Sequence, residues 1–330
     1  MKRKLLLLLT LFTSYSMYSS VNINEMMVRN VSFQYNEKYN FEGWVELYNS
    51  GASSVDLSNC FFSNSSENLF LWQNKSNLIL QPGEYAIFYF DELDEGNHAS
   101  FKLDSDGGEL YLTDANGSML DFIKYPKPFR NASYGCVTDG STEYGFFVTP
   151  SMGSSNNSVI ATAQTAAPTF GTKGGFFNSS QSITIHAENP AAKIYYTIDG
   201  TEPKVNGMLY TSPINISSTT PLRAIAVVDG EVPSDITTAT YFFLNNIPVG
   251  TKVVSLVTDR NFVYGDSLGA LVVGRNGSTV PTNCSAMDNR ANYMNDWDRP
   301  CNFELFDEQK SSQINQEVKI GCFGACSRTK

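Results

Sequence analysis

The sequence predicts a mainly β chain, with two β-sandwiches in tandem and a third, partial segment after them. Short runs that alternate apolar and polar residues recur along it, with turn residues between them. Asn, Ser, Thr, Gly and aromatic residues are plentiful, while long Lys/Glu/Leu/Ala runs are missing, a mixture that favours strands and turns over helices. The 330 residues, 42% of them hydrophobic, suffice for two or three domains with cores of their own.

Residues 1–20 have the layout of a secretory signal peptide. Lys2, Arg3 and Lys4 form a basic start, Leu5 to Phe12 an apolar stretch, and Tyr15 to Ser20 a small polar end. The apolar stretch is well short of the roughly 20 residues that a membrane span needs. No second such run follows, so the sequence predicts an extracytoplasmic chain (secreted, periplasmic or on the cell surface) without a membrane span. The formal net charge of −10 repels phosphate backbones and argues against nucleic acid as a partner. Six cysteines fit an oxidising compartment. Cys284 and Cys301 flank one polar loop and are the preferred disulfide, with free buried thiols as the alternative. His98 and His186 are the only histidines, too few for a zinc site or for a Ser/His/Asp triad.

Residues 21–157 read as short strands between turns. Trp44 to Tyr48 alternates as a half-buried strand should, and Asn49-Ser50-Gly51 breaks it. Leu78-Ile79-Leu80 runs into the turn Gln81-Pro82-Gly83, and Tyr85 to Phe90 is strongly apolar. Asp106-Gly107-Gly108 turns before Leu110-Tyr111-Leu112, and Leu120 to Tyr125 follows one more turn. Such even spacing marks a sandwich. Ile23-Asn24-Glu25-Met26-Met27, Gly43 to Asn49, Val55-Asp56-Leu57-Ser58 and Leu80 to Tyr85 resemble successive pieces of lamin-tail domains. Phe101-Lys102-Leu103, Leu110 to Asp114, Ser133-Tyr134-Gly135 and Thr149 to Gly153 continue in the family order. The resemblance implies an immunoglobulin-like sandwich used for binding or spacing, without catalysis.

Residues 158–168 are small and polar and read as a linker. A second β unit follows over residues 169–245. Its strands are Ser182 to Ile185, Lys193 to Ile198, Leu222 to Val228 and Ala239 to Leu244, with Asp199-Gly200 as a tight turn. Ala192 to Pro203, Tyr210 to Ile214 and Leu222 to Ala226 resemble the chitobiase/β-hexosaminidase C-terminal domain. That resemblance implies a fibronectin-III-like module, appended to secreted enzymes and surface proteins, and does not imply glycosidase activity.

The character changes over residues 246–330. Val254 to Asp259, Asp296 to Pro300, Phe303 to Asp307 and Val318 to Gly321 resemble the start of the CotH kinase family, which implies a partial α+β, kinase-like segment. The family usually has a Gly-rich run with His before its Ser-Arg; here Gly321-Cys322-Phe323-Gly324-Ala325-Cys326 stands there. Phosphoryl transfer needs cations at the phosphates and metal-binding carboxylates. The resemblance makes Arg328 and Lys330 phosphate-facing candidates, and the family's acidic residues lie beyond this segment. ATP and Mg are therefore expected only of a completed domain, and residues 1–330 are expected to carry no catalytic residue and no metal.

Other candidates have plainer readings. Asp104 to Glu109 has part of a Ca²⁺-loop pattern but reads better as a hairpin turn. The acidic run Asp91 to Glu95 reads as a solvated loop. Trp44, Trp72, Tyr195 and Tyr196 are sugar-stacking candidates whose strand context points to the core. Asp296, Asp298 and Arg299 read as local packing or an ion pair around Trp297. The expected function is that of a secreted or cell-surface protein whose sandwiches act in adhesion, binding or presentation of the CotH-like domain, with an unknown protein or glycan as partner. The alternatives are the front part of a CotH-type kinase and a carbohydrate-binding accessory protein.

Overall fold

The computed structural model describes residues 20–244, 247–280 and 290–324, leaving aside the side chains of 205 and 206. Its regular secondary structure is nearly all strand, and its first two units are immunoglobulin-like sandwiches in tandem.

In the first unit a six-stranded sheet runs in the order Tyr144–Phe147, Ser133–Cys136, Val21–Met27, Gly43–Asn49, Tyr85–Phe90 and His98–Ala99. It faces a four-stranded sheet of Met119–Tyr125, Gly108–Thr113, Phe61–Ser63 and Trp72–Gln73. Alternation along each strand sends Val45, Leu47, Phe88 and Phe90 inward, where they meet Phe62, Leu110 and Leu112. The Phe62 ring lies 4.9 Å from Phe88 and 5.6 Å from Phe90. Trp72 belongs to this core.

The opposite face of the six-stranded sheet carries Glu25, Trp44, Glu46, Ile87 and Tyr89, as the pairings Glu25 with Glu46 and Trp44 with Tyr89 require. Two segments cover it. The loop from Asn30 to Glu42 is shaped by its own asparagines: Asn30 Nδ2 donates to the carbonyls of Gln34 and Glu42, and Asn36 Oδ1 accepts from the amides of Lys38 and Asn40. The hook from Thr149 to Asn156 is held by carboxylates, with Ser151 N 3.0 Å from Glu25 Oε1 and Gly153 N 2.6 Å from Glu46 Oε2. Trp44, Glu25 and Glu46 are fully buried beneath this cover.

Residues 158–168 do connect the two sandwiches, but they are bonded along their length. Ala161 N donates to Phe146 O, Thr162 N to Gly230 O and Thr165 N to Val232 O. Small polar residues left the backbone free to pair, a possibility that composition does not distinguish from a loose tether.

The second unit has a five-stranded sheet in the order Gly175–Phe176, Thr237–Phe242, Thr220–Val227, Lys193–Thr197 and Met208–Leu209. Ile183, Ile216, Leu222, Ala239 and Tyr241 fill one part of its core, and Ile185, Ile194 and Ala224 another. The third segment is a three-stranded sheet of Val253–Val257, Arg299–Phe306 and Ser312–Ile320, with one short helix, Arg260–Tyr264. Asp259 caps that helix through Asn261 N.

The sheet of the third segment packs on the second unit. Phe306 sits edge-on to both Phe176 and Phe242 at 5.4 Å, and Glu304 accepts from the amide and hydroxyl of Thr240. It also touches the first unit, where Trp297 Nε1 donates to Lys38 O and Arg299 Nη1 to Tyr39 O, both at 2.8 Å. The guanidinium of Arg299 lies 4.3 Å over the Trp297 ring and bonds to the carbonyls of Tyr39 and Leu268, the packing role rather than a carboxylate pair.

Candidate functional site

Two concavities stand out, and neither is built from the residues that sequence reasoning put forward as site candidates. The first is a groove of about 550 Å³ on the covered face of the first sheet, between the Asn30–Glu42 loop and the hook. Phe33 and Gln34 form one wall, Ile87 and Tyr89 the floor, and Pro150 to Ser154 the other wall. Tyr89 is held in place by stacking on His98 at 5.1 Å. Phe33 keeps 37% of its surface exposed. Asn131, a left-handed residue at φ 52°, anchors the start of the loop by accepting from the amides of Val31 and Ser32.

His98 belongs to the same construction. Its Nδ1 lies 2.6 Å from Asp91 Oδ2, and its Nε2 contacts Glu37 on the loop. Burial works against the imidazolium, but the two carboxylates outweigh it and hold the ring above its ordinary value. The acids sit on opposite ring nitrogens, so they do not converge on one metal position. The acidic run is thus not simply a solvated loop: the Asp91 side chain is 3% exposed. A charged residue in a run of acids gives no sign, in sequence, that a histidine seven positions on will draw it inward.

The second concavity lies where all three units meet, a cavity of about 390 Å³. Arg29 reaches Asp235 at 2.9 Å and Glu317 at 3.1 Å. Arg130, 5% exposed, reaches Glu317 at 2.9 Å and Glu202 at 2.5 Å. Burial alone would raise Glu202 and Glu317, but Arg130 outweighs it and holds both below the usual carboxylate range. Arg223 donates from Nη1 to Gly200 O at 2.7 Å, and its buried Nε has no hydrogen-bond partner.

Two comparisons with known families fall on the two sandwiches. Residues 16–127 match the family described as Lamin Tail Domain. The first sandwich is lamin-tail-like. Residues 172–238 match the Chitobiase/beta-hexosaminidase C-terminal domain, so the second is chitobiase-type. A curated relative, an endoglucanase from Clostridium saccharobutylicum, is 42% identical over 129 residues, covering 39% of this chain and 28% of the relative. The chain thus spans little more than a quarter of that relative's length. Neither family match extends past residue 238.

The remaining candidates are distributed as follows. Trp44 and Trp72 are buried and offer no ring to a ligand, while Tyr195 and Tyr196 are half-buried, Tyr196 against the core of the chitobiase-type unit. Asp104 to Glu109 is a hairpin turn: Asp106 N and Gly107 N both bond to Asp104, and Gly107 has φ +98°. Cys301 is a free, buried thiol whose Sγ lies 3.4 Å from Asn302 O, and burial pushes it up to about 11. Its expected partner Cys284 lies outside the described residues, as do Arg328 and Lys330. Among the described residues no helix is long and apolar enough to cross a membrane.

Proposed function

We propose that this chain is a carbohydrate-associated, non-catalytic part of an exported surface protein, and that the Phe33–Tyr89 groove of the lamin-tail-like unit takes a neutral glycan. The observation that carries the reading is the groove itself. It presents two aromatic side chains beside the polar Gln34 and Ser154, and its volume falls within the range of ligand sites. Aromatic rings offer apolar area with little conformational freedom to lose, which suits a flat sugar face. The match of the second unit to a domain of carbohydrate-active enzymes, and the endoglucanase relative, support the class of ligand. The basic and apolar start of the sequence supports export.

Titration of the full chain with soluble cello-oligosaccharides, together with retention on insoluble cellulose, tests this. Phe33→Ala and Tyr89→Ala are each expected to weaken binding about tenfold, roughly 1.4 kcal/mol, with circular dichroism unchanged. Binding that both variants leave intact would overturn the groove assignment. N-terminal sequencing of the exported protein is expected to begin after residue 20, and a mature chain that retains Lys2 to Lys4 would count against export by a cleaved signal.

A further inference from the structure

We infer that the glycan groove continues past Phe33 into the cleft between the two sandwiches, so that the site takes a chain of linked sugars running from the lamin-tail-like unit onto the chitobiase-type unit. The inference rests on the carbohydrate-associated reading of the groove and extends it. Cleft and groove share their walls, since Phe33 and Pro150 line both. On one side, Ser32 and Phe33 line the cleft, and Phe33 and Gln34 line the groove. On the other side, Val148 to Pro150 line the cleft, and Pro150 to Ser154 line the groove. One trough thus runs between two unbroken stretches of chain. The residues between its walls change from Ile87 and Tyr89 of the first unit to Ile225 and Ile236 of the second. At about 240 Å³ the cleft is smaller than a free-standing small-molecule site, which suits an extension rather than a separate site.

The lining of the cleft suits a neutral chain. Its Arg130 and Glu202 already satisfy each other at 2.5 Å, and Arg130 also holds Glu317. Ser32 Oγ donates to Glu202 at 2.6 Å. These bonds tie the wall that carries Phe33 to the second unit, and Val232 N, donating to Ala163 O at 2.9 Å, fixes the chain beside Pro233. The two halves of the trough are therefore held in line. Val148, Pro233 and Ile236 are partly exposed there and give apolar surface for a sugar face. Lys204 is the polar group left over. It is exposed and lines the cleft, and its ammonium forms no ion pair or hydrogen bond among the described residues. An ammonium carries three donors, which sugar hydroxyl oxygens can accept.

Calorimetric titration of the full chain with cellobiose and cellohexaose tests this, because the longer sugar has units for both halves of the trough. Cellohexaose is expected to bind about tenfold or more tightly than cellobiose. Lys204→Ala is expected to weaken cellohexaose about three- to tenfold, the size of one hydrogen bond, and to leave cellobiose in the groove unaffected. Thr149 lines the cleft but not the groove. Thr149→Trp, which puts bulk into the cleft, is expected to remove the advantage of the longer sugar. Lys204 and Thr149 are both exposed, so neither change threatens folding. The inference is overturned if wild-type protein binds the two sugars equally well, or if both variants keep the full advantage of the longer one. In either case the groove reading stands. Binding of neither sugar overturns the groove reading itself and the inference with it.

Discussion

Arg130 and Glu317 are 187 positions apart, yet Arg130 Nε lies 2.9 Å from a carboxylate oxygen of Glu317. The same guanidinium holds Glu202, so one side chain of the lamin-tail-like unit ties down both other units. Arg130→Met leaves Glu202 and Glu317 half-buried without their cation, and is expected to cost about 3 kcal/mol. Urea unfolding followed by tryptophan fluorescence measures this, and a loss under about 0.5 kcal/mol, the size of an ordinary surface substitution, would show that the junction contributes little. Since Arg130 holds both acids below their ordinary value of 4.5, the stabilisation is present above pH 4.5 and is lost as pH falls through their lowered values.

Glu46 shifts stability in the opposite direction. Burial pushes its carboxyl up to about 7, against the hydrogen bonds from Asn24 and Gly153. The folded chain therefore holds a proton there that the unfolded chain releases. The stability tied to it is fully present below pH 4.5 and is lost as pH rises through about 7, a change of about 3 kcal/mol. Chemical denaturation between pH 4.5 and 8 is expected to show the fall, and Glu46→Gln to flatten it. An unchanged slope in that variant would assign the proton elsewhere.

Both relationships lie at the limit of what a single sequence displays. The strands were legible because alternation and turn residues are local: Trp44 to Tyr48, Tyr85 to Phe90 and Lys193 to Thr197 are strands as expected. The side chains that build the cavities are not local. Phe33 and Tyr89 line one groove from a loop and a strand, and Arg29, Arg223 and Glu317 come from three units, with no spacing rule connecting them. The available signal was the density of Asn between residues 30 and 40, which shapes the loop that carries Phe33. Alternation placed Trp44 correctly as buried, although it is covered by the loop and hook rather than by the opposing sheet.

Gly135, within the Ser133-Tyr134-Gly135 stretch of the lamin-tail resemblance, explains one such motif by packing. A Cβ there would lie 2.2 Å from Asn24 O and 2.7 Å from Glu25 Cα, both backbone atoms of the neighbouring strand. The strand pair has no side chain to move aside. Gly135→Ala is expected to destabilise the lamin-tail-like unit by about 3 kcal/mol or more. Thermal unfolding by circular dichroism reads this directly, and a melting temperature within about 2 °C of wild type, well below what 1 kcal/mol produces in a domain of this size, would contradict the close approach.

His98 gives the last test, because its clamp joins the loop of the glycan groove to the sheet beneath it. Asp91 lies under the ring's Nδ1 and Glu37 reaches Nε2 from the loop, while Tyr89 stacks on the ring and forms the groove floor. Those carboxylates hold His98 above its ordinary value of 6.5. The stabilisation is therefore complete below pH 6.5 and is lost as pH rises through the raised value, the same direction as for Glu46. Since the chain has only two histidines, NMR titration of the ring protons separates His98 from His186. The His98 midpoint is expected above 6.5, and a midpoint below it would contradict the clamp. In His98→Gln, Asp91 keeps a neutral donor at best, so a loss of about 1–3 kcal/mol is expected at pH 6. The difference from wild type should shrink toward pH 9. If the groove depends on the clamp, the same variant also weakens cello-oligosaccharide binding, because the Asn30–Glu42 loop carries Glu37 and Phe33 together.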